Sequence, residues 1–241
     1  MADNILPRGR NFDHLFFAVA IALFVGAVLV GFGPTFYLKP LFNNPPIARS
    51  IIFAHGFLMT AWLILFVTQV YLISSKRVRL HQTLGLAGIG LAVVIVFVGL
   101  FTAIAAAKYG SPSAPAGIPP LEFMIVPFGD MFVFAVLFGS AIYYRKVSPN
   151  HKRLMLLTLI NFLPPAIGRF PGGLADTYGP LWFYGVPTLV AIALIALDTW
   201  RNRKLNKAFL LGGTFMMAAM WSRLYLMTTP AWHGFAAWIT S

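Results

Sequence analysis

Three histidines, His55, His81 and His151, stand near the ends of apolar runs long enough to cross a lipid bilayer. An imidazole can ligate a metal or a haem iron, carry a proton, or both donate and accept hydrogen bonds. At membrane depth an ionisable side chain is costly, so each one marks a candidate site. Asp130, Arg169 and Arg223 raise the same question, since they lie inside such runs or at their ends. At helical spacing His55, Met59, Trp62, Phe66 and Gln69 share one face, and Met216, Met220, Arg223 and Met227 form a second stripe.

The elements that must position these groups follow from composition. Of the 241 residues, 59% are hydrophobic and only 10% charged, against about a quarter charged in a soluble domain. Seven apolar runs span residues 15–38, 51–74, 83–107, 121–144, 154–168, 181–199 and 209–228. The expected fold is therefore all-α: a polytopic membrane protein of about seven transmembrane helices, forming a single bundle over residues 1–241. No repeat or second domain is visible. The fifth run is short and ends in Pro164-Pro165, which predicts a kinked or unwound outer end. Ser148-Pro149 reads as a helix start, with Ser148 as N-cap and Pro149 at the first helical position. His151 then falls in the first turn of helix five. Gly85, Gly88, Gly90 and Gly99 in helix three predict close helix contact.

The net charge of +12 does not mark a nucleic-acid partner, because it is distributed by loop. Thirteen of the 18 Lys and Arg fall in the N-terminal tail and in the second–third, fourth–fifth and sixth–seventh loops. The positive-inside rule then puts the N-terminus in the cytoplasm and the C-terminus outside, with the first run kept as a helix. The partner this implies is the lipid bilayer. The sequence contains no cysteine, which excludes disulfides, thiolate chemistry and iron–sulfur ligation. A P-loop, H-E-x-x-H and G-x-S-x-G are absent. The last run holds no lysine for a retinal Schiff base, since Lys204 and Lys207 precede it. Nine methionines could offer soft ligands to Cu(I) beside His55, but no repeated M-x-x-M or H-x-H accompanies them.

Topology sorts the polar residues by depth. His55 lies in the outer half of helix two, and His81 and His151 at the inner ends of helices three and five. The helix between His55 and His81 spans most of the bilayer, so these two cannot share one metal ion. His81 and His151 together suit a six-coordinate haem iron or part of another metal site. The alternative is that both cap or snorkel among the interfacial cations Arg79, Lys152 and Arg153. The outer group is His55, Trp62, Asp130, Arg169 and Arg223. In it, Asp130 either forms an ion pair that locks helix four to helix seven or five, or helps line an outward pocket for an anionic or quinone-like ligand.

The stretches His55-Gly56-Phe57-Leu58-Met59-Thr60-Ala61-Trp62, then Gln69, then Leu80-His81-Gln82-Thr83-Leu84-Gly85 resemble a group of predicted bacterial integral membrane proteins of unknown function. His151-Lys152-Arg153-Leu154-Met155-Leu156 and Pro165-Ala166-Ile167-Gly168-Arg169 fit the same group. The helix layout is more distantly similar to transmembrane ascorbate-dependent cytochromes b, which hold two haems in a four-helix core. That resemblance implies a core over about residues 47–169 and haem b between His81 and His151. It also matches His55 to the first ligand of a second pair, whose other member is here Asp130. The implied function is a redox protein exchanging electrons with a quinone or an outer acceptor. The other reading is a non-enzymatic binding or transport protein, or an accessory subunit of a membrane complex, built on the outer polar pocket.

Overall fold

The structure, a computed structural model, describes residues 8–42, 49–110 and 117–241, with side chains from residue 15 onward. The tail arginines Arg8 and Arg10, on which the N-terminal orientation partly rests, lie outside the described side chains. So do parts of the outer segments after the first and third runs. Among the described residues there is no strand. Five helical segments are long and apolar enough to cross a membrane, spanning Leu15–Tyr37, Ser50–Ser74, Val78–Tyr109, Pro120–Tyr143 and Leu181–Asn202. This is a multi-pass helical protein with an apolar, lipid-suited exterior.

The breaks in the helices have local causes. Helix α1 (Arg8–Phe32) passes into a π-helical turn at Gly33–Tyr37, where Pro34 removes a backbone donor. Helices α2 (Ser50–Ser74) and α3 (Val78–Tyr109) run unbroken, and α3 stops at Gly110, whose φ of +83° suits glycine. A short α4 (Pro120–Phe123) leads into α5 (Ile125–Tyr143). Helix α6 (Ser148–Asn161) ends just before α7 (Leu163–Ile167), so the break falls next to Pro164-Pro165 as the sequence predicts. The capping expectation is corrected: Ser148 is already helical, and the N-cap position is Val147, which has no side-chain oxygen. Helix α8 (Leu174–Tyr178) is followed by a second π-helical turn at Leu181–Gly185, then α9 (Val186–Asn202) and α10 (Lys207–Leu226).

Helix α11 (Pro230–Thr240) lies beyond the last expected run. It packs on α4 and α3 and begins at the Thr229 hydroxyl, which accepts from the Trp232 N–H. Trp232 Nε1 donates to the Leu121 carbonyl at 2.9 Å, and His233 Nε2 lies 3.4 Å from Glu122.

The centre of the bundle is α6. It packs against α5, α9 and α10, and it is almost wholly buried from Leu156 to Asn161. Two apolar cores share α5 and α6. One joins them to α2 and α3 around Trp62, Ile95, Phe134, Leu159 and Phe162. The other joins them to α9 and α10 around Leu137, Leu157, Phe209, Met216 and Met220. Outward faces of α1, α2 and α3 carry large apolar side chains such as Leu23, Phe57, Ile64, Leu86 and Phe101. A water-facing surface would not tolerate so continuous an apolar band.

Close approach is bought by small residues at two places. Met131 sits where a side chain on Gly99 would be, joining α5 to α3. The Ala166 carbonyl sits where one on Gly31 would be, joining α1 to α7. Where α10 begins, Asn206 caps it by accepting from the Phe209 N–H at 2.8 Å, and its amide donates to Asn150 Oδ1 at 2.8 Å. Asn206→Ala removes both bonds and should lower stability by about 1–2 kcal/mol. A melting temperature unchanged from wild type would show that this cap contributes nothing.

Candidate functional site

At one end of the bundle, α3 and α6 each present a histidine from their first turn. The His81 and His151 rings stand with centroids 6.5 Å apart and planes crossed at 81°. His151 Nδ1 lies 2.8 Å from the Ala141 carbonyl of α5. A carbonyl only accepts, so Nδ1 carries the proton and Nε2 of the neutral ring is left with its lone pair. The Gln69 amide of α2 reaches His81, its nitrogen donating to the His81 carbonyl (3.2 Å) and to ring Nδ1 (2.5 Å). In this orientation the amide oxygen accepts from the Gly85 N–H at 3.0 Å, so His81 Nδ1 is the acceptor and a neutral ring carries its proton on Nε2. Gln69 therefore selects the His81 tautomer. A shallow recess lined by Lys76, Arg77, Val78, Arg79 and Leu80 opens beside this pair.

Arg153 departs from the expectation that it sits among interfacial cations. It is 5% exposed and clamps Asp198 of α9 with two bonds, Nε to Oδ2 at 2.8 Å and Nη2 to Oδ1 at 2.6 Å. Nη1 donates to the Pro149 carbonyl, and Asn202 Nδ2 donates to Asp198 Oδ1 at 3.0 Å. A guanidinium and a carboxylate matched in this way at low exposure form an anchor between α6 and α9. Lys152 points elsewhere, over the Phe17 ring at 5.2 Å.

The five residues of the outer group fall into separate neighbourhoods. Asp130 pairs with Arg223, whose Nη1 donates to Oδ1 at 2.6 Å and to the Val126 carbonyl at 3.1 Å. This ion pair joins α5 to α10. Gly129 leaves the space that the guanidinium fills. Asn161 of α6 donates to the Asp130 carbonyl at 3.0 Å, and Tyr184 of the second π-helical turn lies beside Arg223. Arg223 Nη2 and Asn161 Oδ1 are buried without a hydrogen-bond partner.

Arg169 instead lies within electrostatic reach of His55. Its Nη1 donates to the Pro165 carbonyl, and its guanidinium lies 4.6 Å over the Phe32 ring. His55 Nδ1 is buried with no hydrogen-bond partner. Trp62 stands between the two neighbourhoods, edge-on to Phe134 (5.2 Å) and Phe138 (5.4 Å), and its Nε1 also lacks a partner.

Among the described residues, no three His, Asp or Glu side chains converge on a point that would hold a metal ion by themselves. The chain's own donors at the inner site are two imidazoles, which fits a metal that brings its other ligands with it. Comparison with protein-family models, curated proteins and solved structures gives no match.

Sequence reading missed Asp198, Asn161 and Tyr184. Asp198 carried a usable signal, an acidic residue near the end of an apolar run. Asn161 and Tyr184 carried none, because one polar residue in a run says nothing about the element it will face.

Proposed function

We propose that this is a seven-span redox protein of the bacterial inner membrane that binds haem b between His81 and His151. The N-terminus is cytoplasmic and the C-terminus outside. To the five apolar spans this reading adds α6–α7 and α10, each about 30 Å long. The first is shielded in the bundle centre, so it need not be apolar. The basic loops before α6 and before α10 lie on one side and set the orientation.

One observation carries the haem reading: the neighbouring imidazoles of α3 and α6, with ring centroids 6.5 Å apart and planes crossed at 81°. His81 and His151 would hold the haem iron between them. The Ala141 carbonyl holds the His151 ring in orientation and keeps its Nε2 lone pair available. Lys76, Arg77 and Arg79 supply cations to the carboxylates that such a group carries. A bis-imidazole haem supplies one-electron transfer, and the partner would be a quinone or an outer acceptor.

Purified protein expressed with ample haem should show a Soret band, lost in His151→Ala while the protein stays monodisperse. A wild-type preparation without that band overturns the reading. The second reading, a binding or accessory subunit, is favoured by the Asp130–Arg223 centre with its two partnerless polar atoms. Asp130→Asn would then disturb association with other membrane subunits more than folding.

A further inference from the structure

We propose that the outer end of the bundle carries a binding site for a lipid-soluble amphiphile whose head is an acceptor oxygen, held by the His55 imidazole beside Arg169. The proposal stands on its own observations and does not depend on haem at the inner end.

The first observation is the donor set. His55 Nδ1 is buried without a partner, and leaving a buried donor unsatisfied costs about 1–3 kcal/mol. Arg169, within electrostatic reach, can only donate. Its position is fixed by the Pro165 carbonyl below and the Phe32 ring alongside. With the His55 proton on Nδ1, a group seated between it and the guanidinium has to accept, and a negatively polarised oxygen does so best.

The second observation is access. Both His55 and Arg169 keep part of their surface exposed even though Nδ1 is covered. Helix α1 itself packs mainly on α7 and only lightly on α2, so the turn that follows it carries the junction with α2. The surroundings there are aromatic: Phe32, Phe36 and Phe53, with Phe36 and Phe53 centroids 6.1 Å apart. A small water-soluble anion gains nothing from such walls, whereas an apolar body behind an oxygen head does.

The third is local backbone. The wall of α1 here is the π-helical turn Gly33–Tyr37, a rare geometry found most often at functional sites. It turns Phe36 onto Gly56 and brings the Tyr37 hydroxyl to the Thr60 hydroxyl at 3.1 Å, which in turn donates to the Gly56 carbonyl at 2.8 Å. The turn is thereby pinned to α2 one residue from His55.

Two small-molecule sources share this chemistry: a quinone carbonyl and a fatty-acid carboxylate. The test is equilibrium binding of decylubiquinone and, separately, oleate to full-length protein in nanodiscs of neutral lipid. One probe should bind saturably at about one equivalent per chain. His55→Phe should weaken that binding about tenfold, as loss of one hydrogen bond requires. His55→Asn, which keeps an N–H near the Nδ1 position, should stay within about threefold of wild type. If only oleate behaves so, the head is a carboxylate; if only decylubiquinone, a quinone carbonyl. Should His55→Phe fail to fold, photolabelling of the wild type with an azidoquinone and an azido fatty acid decides, with label expected on residues 33–37 or 50–60. Saturable binding of neither probe, equal binding by wild type and His55→Phe, or label spread over α3 overturns the proposal.

Discussion

Replacing Arg223 with leucine should destabilise the protein by about 3–5 kcal/mol, the cost of leaving one partner of a buried ion pair uncompensated. Asp130 is 4% exposed, and its carboxylate takes a charged hydrogen bond from Arg223. Without the guanidinium, the Val126 carbonyl also loses its extra donor, and Gly129 faces an empty volume. The double variant Asp130→Leu/Arg223→Met should recover most of the loss, because an apolar pair of similar volume removes the desolvation penalty along with the attraction. Reversible unfolding in mixed micelles measures both. A single variant costing less than about 1 kcal/mol, or a double variant no better than the single, would sink this account of the α5–α10 junction.

A second large effect is expected at Gly31. A side chain there would overlap the Ala166 carbonyl, a backbone atom that cannot rotate aside. Gly31→Val should therefore push α1 off α7 and cost about 3 kcal/mol, the upper part of the usual range for overpacking. The displacement also carries the Phe32 ring away from Arg169, which it now meets at 4.6 Å. Spin labels on α1 and α7 should move apart by about 2 Å or more on the scale of one inserted side chain. Gly26→Val is the control: nothing lies within 4 Å of that position, so it should be close to neutral. Equal destabilisation by the two variants would mean that the α1–α7 contact is not specific.

Much of this was legible in the sequence, and the reason is specific. A bilayer imposes helix length and apolarity on each exposed span, so the runs and their approximate ends can be read directly. The break before Pro164 follows from a missing N–H, and His81 and His151 meet because both open helices at the same end of the bundle. Partner choice was not legible. Asp130 could have met Arg169 or Arg223, and only the packing of α10 on α5 selects Arg223. Arg153 sits in a basic segment that reads as a loop end, yet it turns inward because Asp198 waits on α9. Helix α11 went unread because its 11 residues are too short to span, and a short aromatic helix leaves no run signal.

The polar character of α6 bears on how the chain enters the membrane in the first place. As the ribosome releases it, this segment offers the translocon His151, Lys152, Arg153 and Asn161 within 14 residues, a combination that partitions poorly on its own. The carboxylate that neutralises Arg153 belongs to α9, 45 positions later in synthesis. On the seven-span reading, helix α6 must therefore be retained beside its already inserted neighbours until α9 emerges, which makes its insertion a cooperative act of the nascent chain, with α5 as its first escort.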